Sequence, residues 1–383
     1  MVKSSLFPTY NRFDVSVASA EGVHVTDTEG KVYLDFGSGI GVNNLGHRHP
    51  DVQQAVEKQL NDYWHVSNLY SQPIQESVAQ LITNNSVGEN VFFCNSGAEA
   101  NEAAIKLARK ATGKAKIITF KQSFHGRTFA TMAATGQSVI HDGFGPKLEE
   151  FQYVPFNDLA AVEAAVDNKT AGIMLEVIQG EGGVVPGEKA FIKGVEAICR
   201  EHNILLIVDE IQTGIGRTGK LFGYMHYDIS PDIFTLAKGL GNGLPVGAMV
   251  AKGHLKDAFH AGTHGSTFGG NPIAMAASEA VLKHVTDEAF LEGIVNISDY
   301  TFNQLKTALA ELEVVVNIRG EGLMIGIECR EDVGPFIPEL LNKGIIVLNA
   351  GPKVLRLLPP LTIKQSNVDE LVSALQQVLT NKK

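Results

Sequence analysis

The sequence has few of the features that mark secreted, membrane-spanning or nucleic-acid-binding proteins. Its three cysteines, Cys94, Cys199 and Cys329, are too few and odd in number for a disulfide framework, which favours a reducing compartment. No apolar run approaches the ~18 residues of a membrane helix, and the N-terminal residues lack the apolar stretch of a secretory signal. Basic residues number 32 against 42 acidic ones, a net charge of −10 that argues against binding to phosphate backbones. We therefore expect a cytoplasmic protein that binds neither nucleic acid nor membrane.

The chain is rich in apolar residues and glycine instead. Of its 383 residues 44% are apolar, enough for a large buried core, and 39 are glycines, which suggests many tight turns. Short, unbroken apolar runs alternate with helical patterns, as in parallel strands covered by helices on both faces. The runs lie at 91–94, 116–120, 173–177, 204–208, 233–237 and 246–251.

This alternation predicts an α/β fold with a large, doubly wound, mostly parallel sheet. We place that large domain at residues 46–270. The pattern of residues 271–383 predicts a smaller α+β domain, with a strand–turn–strand unit at 315–330 and a final amphipathic helix at 368–379. The N-terminal segment 1–45, which contains a hairpin turning at Glu29–Gly30, is expected to contribute to the smaller domain.

Two glycine motifs are similar to those of nucleotide-binding sites, but neither has the sequence context that such a site requires. Gly214, Gly216 and Gly219 spell a dinucleotide fingerprint, but the residues that follow have no helical period. The same stretch nearly spells a P-loop ending at Lys220, but Leu221 occupies the position of the magnesium-binding Ser or Thr. A nucleotide-dependent enzyme therefore remains only an alternative, one that predicts ATP or NAD binding.

The segment around His47 and His49 could suggest a metal pair. No third His, Asp or Glu stands at zinc-ligand spacing, and Pro50 fits the first turn of a helix. We therefore interpret both histidines as structural and expect no metal.

A candidate phosphate site follows the first buried strand. Ser96 and Glu99 form a capping box at the start of a helix, and Gly97 lets a ligand approach the backbone. A helix N-terminus offers free N–H groups and positive dipole character, both suited to phosphate. Helix capping alone also explains the pattern.

Two further residues follow buried strands. Asp209 ends the strand at 204–208, where it could bind a metal, cap a helix or hold a protonated ring nitrogen. Lys238 stands between an apolar strand and a glycine-rich turn, and burial there should lower its pKa and free its amine for a Schiff base. A phosphate turn, a carboxylate and such a lysine together are the parts of a pyridoxal-phosphate (PLP) site.

The chain resembles the class III (omega-amino-acid) aminotransferases of the fold-type I PLP family, most of all their acetylornithine subgroup. The resemblance covers nearly the whole chain. It is carried by LDFGSGIGVNNLGHRHP, FFCNSGAEANEAAIKLAR, SFHGRT, EVIQGEGGV, LLIVDEIQTGIGRTG, PDIFTLAKGLGNGLPVGAM, HGSTFGGNP and VLRLLPPL.

The resemblance implies a role for each matching cofactor residue. Lys238 resembles the Schiff-base lysine that also shuttles the substrate proton, and Asp209 matches the partner of the pyridine nitrogen. Gln212 matches the residue beside the ring hydroxyl, and Phe124 the aromatic residue that stacks on the ring. The phosphate turn is formed by Ser96, Gly97 and Ala98.

Two residues are implied to act between subunits. Thr267 resembles a phosphate ligand donated by the neighbouring subunit, and Ser266 lies near the substrate. The resemblance therefore implies a homodimer with shared active sites.

Three charged residues are implied to handle the amino-acid and 2-oxo-acid substrates. Arg127 matches a carboxylate clamp, Arg356 resembles the arginine that takes the α-carboxylate of glutamate or 2-oxoglutarate, and Glu181 resembles a gate that pairs with Arg356. The implied reaction transfers the δ-amino group of N2-acetylornithine to 2-oxoglutarate, giving N-acetylglutamate 5-semialdehyde and glutamate, a step of arginine biosynthesis.

Other functions stay open within and beyond this class. Ornithine δ-aminotransferase is the nearest alternative, but residues 37–43 lack the tyrosine with which ornithine-type enzymes hold their substrate. Succinylornithine and 4-aminobutyrate also remain as donors. A non-catalytic PLP-fold regulator is the other class of protein, and the presence of Lys238, Asp209 and Arg127 argues against it.

Overall fold

The N-terminal part combines a three-stranded meander with three helices, the first of which is a single turn. The structure is a computed structural model that describes residues 5–380. The first elements are β1 (Val17–Glu21), β2 (His24–Asp27), β3 (Val32–Asp35), the single turn α1 (Ser38–Gly41), α2 (Pro50–Asp62) and α3 (Pro73–Thr83). Strands β2 and β3 pair antiparallel across a turn in which Gly30 has a φ of 86°, so the predicted hairpin is confirmed.

The middle of the chain builds a seven-stranded sheet. Its strands and helices are β4 (Asn90–Cys94), α4 (Gly97–Thr112), β5 (Lys116–Phe120), α5 (Phe129–Ala134), α6 (Ser138–His141), β6 (Phe151–Val154), α7 (Leu159–Ala165), β7 (Thr170–Leu175), β8 (Ile178–Gln179), β9 (Val185–Pro186), α8 (Lys189–Glu201), β10 (Leu205–Asp209), β11 (Ile233–Leu236) and β12 (Gly247–Ala251). The sheet order is β4-β12-β11-β10-β7-β5-β6, and β8 and β9 form a separate two-stranded sheet.

The predicted mostly parallel sheet is confirmed. Strand β12 runs antiparallel to both of its neighbours, and the other pairs in the sheet are parallel. The carboxyl ends of the parallel strands therefore meet at one edge, where open α/β sheets bind ligands. Strand β6 had not been predicted, because its half-buried residues at the sheet edge do not form a continuous apolar run.

The last third of the chain forms a second sheet and long helices. It contains α9 (Pro272–Val285), α10 (Glu288–Leu309), β13 (Val315–Glu321), β14 (Met324–Cys329), α11 (Phe336–Asn342), β15 (Ile345–Ile346), β16 (Leu348–Asn349), β17 (Val354–Leu357) and α12 (Gln365–Thr380). Strands β13 and β14 form the predicted strand–turn–strand unit, in a sheet of order β13-β14-β17-β16.

The two ends of the chain share a sheet. Strand β15 pairs parallel with β3, where Ile345 stands opposite Leu34. Helix α9 packs on α2 and α3, and α10 packs on α12. The domain limits at residues 45 and 270 stay a prediction. Among residues 5–380, no helix is both long and apolar enough to cross a membrane.

Candidate active site

A cavity of about 420 Å³ opens at the carboxyl edge of the large sheet. Most of the residues that line it come from the ends of β4, β10 and β11 and from the loops after β5 and β7. They include most of the site residues expected from sequence: Ser96, Gly97, Ala98, Phe124, Arg127, Glu181, Asp209, Gln212 and Lys238. Residues up to 204 positions apart along the chain thus share one cavity (246 − 42).

Lys238 is half-buried and lines this cavity. It follows β11 by two residues, and its φ of 42° lies in the left-handed region, which is strained for a residue with a side chain. Burial lowers its pKa and Arg356 adds to that effect, against the opposing charges of Glu181 and Asp209. The predicted direction of the shift is confirmed, and the lysine amine is therefore more readily deprotonated than an exposed one.

Three donors fix the orientation of the Asp209 carboxylate. Its Oδ2 accepts hydrogen bonds from Nδ1 of His125 and Nδ2 of Asn101, both at 2.8 Å, and its Oδ1 accepts from the backbone N–H of Ile211 at 3.0 Å. Asn101 is held in turn by the hydroxyl of Thr235, which donates to its Oδ1 at 2.7 Å. The carboxylate is buried, so this network keeps one negative charge at a defined place on the cavity wall.

The turn before α4 combines a helix cap with close packing. The Ser96 hydroxyl accepts from the backbone N–H of Glu99 at 3.2 Å, as predicted. The Glu99 carboxylate bonds to the N–H of Asn95 and not to that of Ser96, so only half of the expected capping box forms. A Cβ at Gly97 would come within 2.7 Å of Ile211, which lines the same cavity. The first N–H groups of α4 have no intrahelical acceptor and can serve a phosphate.

Arg356 and Glu181 form a two-point ion pair next to the lysine. Nη1 of Arg356 lies 2.5 Å from Oε1 of Glu181, and Nη2 lies 3.2 Å from Oε2. Nη1 also donates to Oε1 of Gln212 at 3.3 Å. Burial acts to raise the pKa of Glu181, but Arg356, with help from Lys238 and Gln212, brings it below its ordinary value. Glu181 is therefore a carboxylate that neutralises a buried guanidinium.

Arg127 lies in different surroundings from Arg356. Its guanidinium carbon lies 5.8 Å from the centre of the Phe124 ring, and the Arg127 side chain is exposed. Within residues 5–380 it makes no ion pair. Because a guanidinium binds carboxylates in a bidentate manner, this side of the cavity can accept the carboxylate of a substrate.

Comparison with known proteins identifies the family. Residues 8–379 match the family model of class III aminotransferases. The chain belongs to this family. It is 58% identical to the acetylornithine aminotransferase of Halalkalibacterium halodurans, covering 98% of both chains. It is 54% identical to the enzyme of that name from Bacillus subtilis, covering 99% of this chain and 98% of the relative.

Solved structures of class III enzymes have the same fold. The ornithine aminotransferase of Toxoplasma gondii superposes with a TM-score of 0.94 at 30% identity, over 98% of this chain and 92% of that one. The N-acetylornithine aminotransferase of Stenotrophomonas maltophilia gives 0.85 at 35% identity, over 97% of each. This chain is thus a PLP-dependent aminotransferase of fold-type I.

The residues of the cavity fit PLP. The start of α4 suits its phosphate, the buried carboxylate of Asp209 suits a protonated ring nitrogen, and Lys238 offers an amine whose pKa is lowered by desolvation. The half-buried Phe124 ring supplies an apolar surface for an aromatic ring. A PLP-dependent aminotransferase needs each of these features.

Three buried residues of this aminotransferase site were not predicted. They are Asn101 and His125, which hold Asp209, and Glu176, which accepts from the N–H groups of Phe124 at 2.9 Å and Gly180 at 3.0 Å. Burial raises the pKa of Glu176 to about 7. One signal was available for Asn101: it lies three residues before Ala104, on the apolar face of α4.

Ser266 and Thr267 lie apart from the main cavity. Thr267 is exposed, and both residues line a separate pocket together with Asn95. The Ser266 hydroxyl accepts from Nδ2 of Asn95 at 3.1 Å and from the N–H of Gly269 at 2.9 Å. Within one chain, therefore, these two residues are not brought to Lys238.

Proposed function

We propose that this aminotransferase moves the δ-amino group of N2-acetylornithine to 2-oxoglutarate, reversibly, giving N-acetylglutamate 5-semialdehyde and glutamate. The observation that carries the proposal is the pairing of Arg356 with Glu181 beside Lys238, while Arg127 has no ion pair within residues 5–380. Such a site holds one arginine ready for a carboxylate and a second whose charge is already neutralised. The reaction places the proposed enzyme in arginine biosynthesis.

This arrangement answers a problem posed by the two substrates. The terminal amine of acetylornithine has no carboxylate beside it, and its α-carboxylate lies at the far end of the carbon chain. Arg127 binds that distant carboxylate, while Glu181 keeps Arg356 neutralised near the reacting amine. Glutamate and 2-oxoglutarate carry a carboxylate next to the reacting carbon, so Glu181 moves aside and Arg356 binds it. A movable Glu–Arg pair thus serves both halves of the reaction.

Within the site, each residue has a separate task. PLP, when bound, supplies an electrophilic carbonyl carbon and a ring that accepts electrons. Lys238 holds it through Nζ and moves a proton at the substrate carbon that carries the amine. Asp209 would hold the protonated ring nitrogen of bound PLP, Gln212 would hold its ring hydroxyl, and Phe124 would supply an apolar surface for its ring. The turn of Ser96, Gly97 and Ala98 binds the phosphate through backbone N–H groups.

The acylated donor is favoured over free ornithine by the segment at residues 37–43. Val42 is the residue of this segment that lines the cavity, and the segment contains no tyrosine to hold the charged α-amine of ornithine. Relatives that are 51–58% identical carry the name acetylornithine aminotransferase. The solved ornithine aminotransferase from Toxoplasma gondii is 30% identical.

We propose further that the enzyme is a cytoplasmic homodimer. Exposed apolar side chains surround the loop that carries Ser266 and Thr267: Trp64 is 65% exposed and Phe268 58%. His65 packs on Phe268 with ring centres 5.0 Å apart, which joins both parts into one patch. Burying this patch against a second subunit removes apolar surface from water and carries Thr267 towards the partner's phosphate site. The three described cysteines are free and buried, as suits a reducing compartment.

The proposal is tested by measuring glutamate formation from 2-oxoglutarate with acetylornithine, succinylornithine, ornithine and 4-aminobutyrate as donors. We expect the highest kcat/KM with acetylornithine. A higher kcat/KM with ornithine would show that ornithine is the donor, and the roles proposed for the residues would stay the same. Sedimentation of wild type and Phe268→Asp tests the dimer separately: a monomeric wild type would contradict it.

A further inference from the structure

A cluster of two histidines and one aspartate joins two helices away from the cavity. His49 directly precedes α2, Asp51 lies in the first turn of α2, and His284 lies in the last turn of α9. One ligand atom from each of the three residues lies within 4.8 Å of the other two. None of the three lines the active-site cavity.

The three side chains contact one another in pairs. Nε2 of His284 lies 2.7 Å from Oδ2 of Asp51, and the ring centres of His49 and His284 are 4.8 Å apart. Nδ1 of His49 is buried and has no hydrogen-bond partner within residues 5–380. Ligands of one zinc ion stand about 3.3 Å apart, given bond lengths of about 2.0–2.1 Å. Small side-chain rotations therefore suffice to bring all three onto one ion.

The donor set selects a class of metal. Two imidazoles and one carboxylate suit Zn²⁺ and similar divalent transition metals better than Mg²⁺ or Ca²⁺, which prefer oxygen ligands. Helices α2 and α9 pack against each other and hold the donors in place.

We propose that His49, Asp51 and His284 form a site for a divalent transition metal ion, which links the start of α2 to the end of α9. The three side chains leave one tetrahedral position for water. Local sequence spacing predicts no metal here, because His284 lies 235 positions beyond His49 along the chain (284 − 49). The site does not depend on the proposed reaction.

The test is a Zn²⁺ titration of untagged, PLP-loaded protein that has been freed of metal with a chelator. Calorimetry should show one Zn²⁺ per chain, and the thermal midpoint should rise with Zn²⁺ but not with Mg²⁺. His284→Gln removes one ligand and should weaken Zn²⁺ binding by at least about tenfold, since even partners outside the ligand shell contribute that much. Asp51→Asn, a change at an exposed side chain, should weaken it too.

His202→Gln is the matched control. His202 and Glu163 form an ion pair at 2.9 Å with similar exposure, but they belong to no three-residue cluster within residues 5–380. This variant should bind Zn²⁺ like wild type. Equal affinity of wild type and His284→Gln, or an equal loss in His202→Gln, would overturn the proposal. Circular dichroism shows whether each variant is folded. If His284→Gln is unfolded, the Zn²⁺ affinity of Asp51→Asn is compared with that of wild type instead, and equal affinities would overturn the proposal.

Discussion

Replacing Glu181 with glutamine should shift the preference of the enzyme from the omega-amine donor towards glutamate. The change keeps the shape of the side chain but removes the charge that neutralises Arg356, which is only 3% exposed. In the wild type, the carboxylate of glutamate must displace Glu181 from a two-point contact of 2.5 and 3.2 Å. An uncharged amide competes less strongly for the guanidinium.

The size of the shift follows from the lost contacts. A hydrogen bond to a charged group contributes about 1.5–3 kcal/mol, and each 1.4 kcal/mol is about a factor of ten. Losing one such contact should raise kcat/KM for glutamate about 10- to 100-fold. With acetylornithine the effect is reversed, because the buried guanidinium is left without its counter-charge beside the terminal amine. We expect kcat/KM for that donor to fall by a similar factor.

The assay compares kcat/KM for the two amine donors in wild type and Glu181→Gln. Glu328→Gln is the control: Glu328 pairs with Arg319 in the same sheet as Arg356 but does not line the cavity. It should leave the ratio of the two donors unchanged. Equal changes in kcat/KM for both donors in Glu181→Gln would refute the role of Glu181 as a gate for Arg356.

Four other changes have definite expected outcomes. Lys238→Ala should reduce turnover at least about a hundredfold, as expected for losing a proton-transfer group, and near-normal glutamate formation would show that the lysine is misassigned. Arg127→Ala should raise KM for acetylornithine about tenfold or more, because it removes the charged hydrogen bonds to the substrate carboxylate, and an unchanged KM would show that Arg127 does not bind that carboxylate. Arg217→Ala leaves the carbonyls of Leu323 and Pro359 without its guanidinium, so urea unfolding should show a loss of at least about 2 kcal/mol; a change under about 0.5 kcal/mol would contradict this. Burial raises the pKa of Glu176 to about 7, so between pH 4.5 and 7 the folded chain holds a proton that the unfolded chain has lost, and the free energy of unfolding falls as pH rises. This fall should be smaller in Glu176→Gln, and an identical pH dependence of the unfolding free energy in both proteins would contradict the raised pKa.

The parts of the site that the sequence predicted are those built by local structure. Asp209 ends one strand and Lys238 follows another, both recognisable as continuous apolar runs, and the carboxyl ends of parallel strands necessarily meet at one edge. Ser96 lies between a strand and a helix, where a local hydrogen bond defines the cap. Short-range rules were therefore sufficient to bring these residues together.

The missing parts depend on contacts between distant residues. The hydrogen bonds from Asn101 and His125 to Asp209 span 108 and 84 positions, and no local pattern specifies them. Strand β6 was missed because edge strands are only partly buried. Thr267 lies outside the cavity of its own chain, and only a second subunit could bring such a residue to a site.

The central claim is that one cavity accepts an acylated omega-amine donor, and the most direct test is a single-turnover measurement on the PLP-loaded enzyme without an oxo acid. Stopped-flow absorbance follows the loss of the visible band of the bound cofactor after mixing with acetylornithine, succinylornithine, ornithine or 4-aminobutyrate. We expect the fastest loss with acetylornithine and a much slower one with ornithine. Faster loss with ornithine, or no loss with any of the four donors, would contradict the proposed substrate.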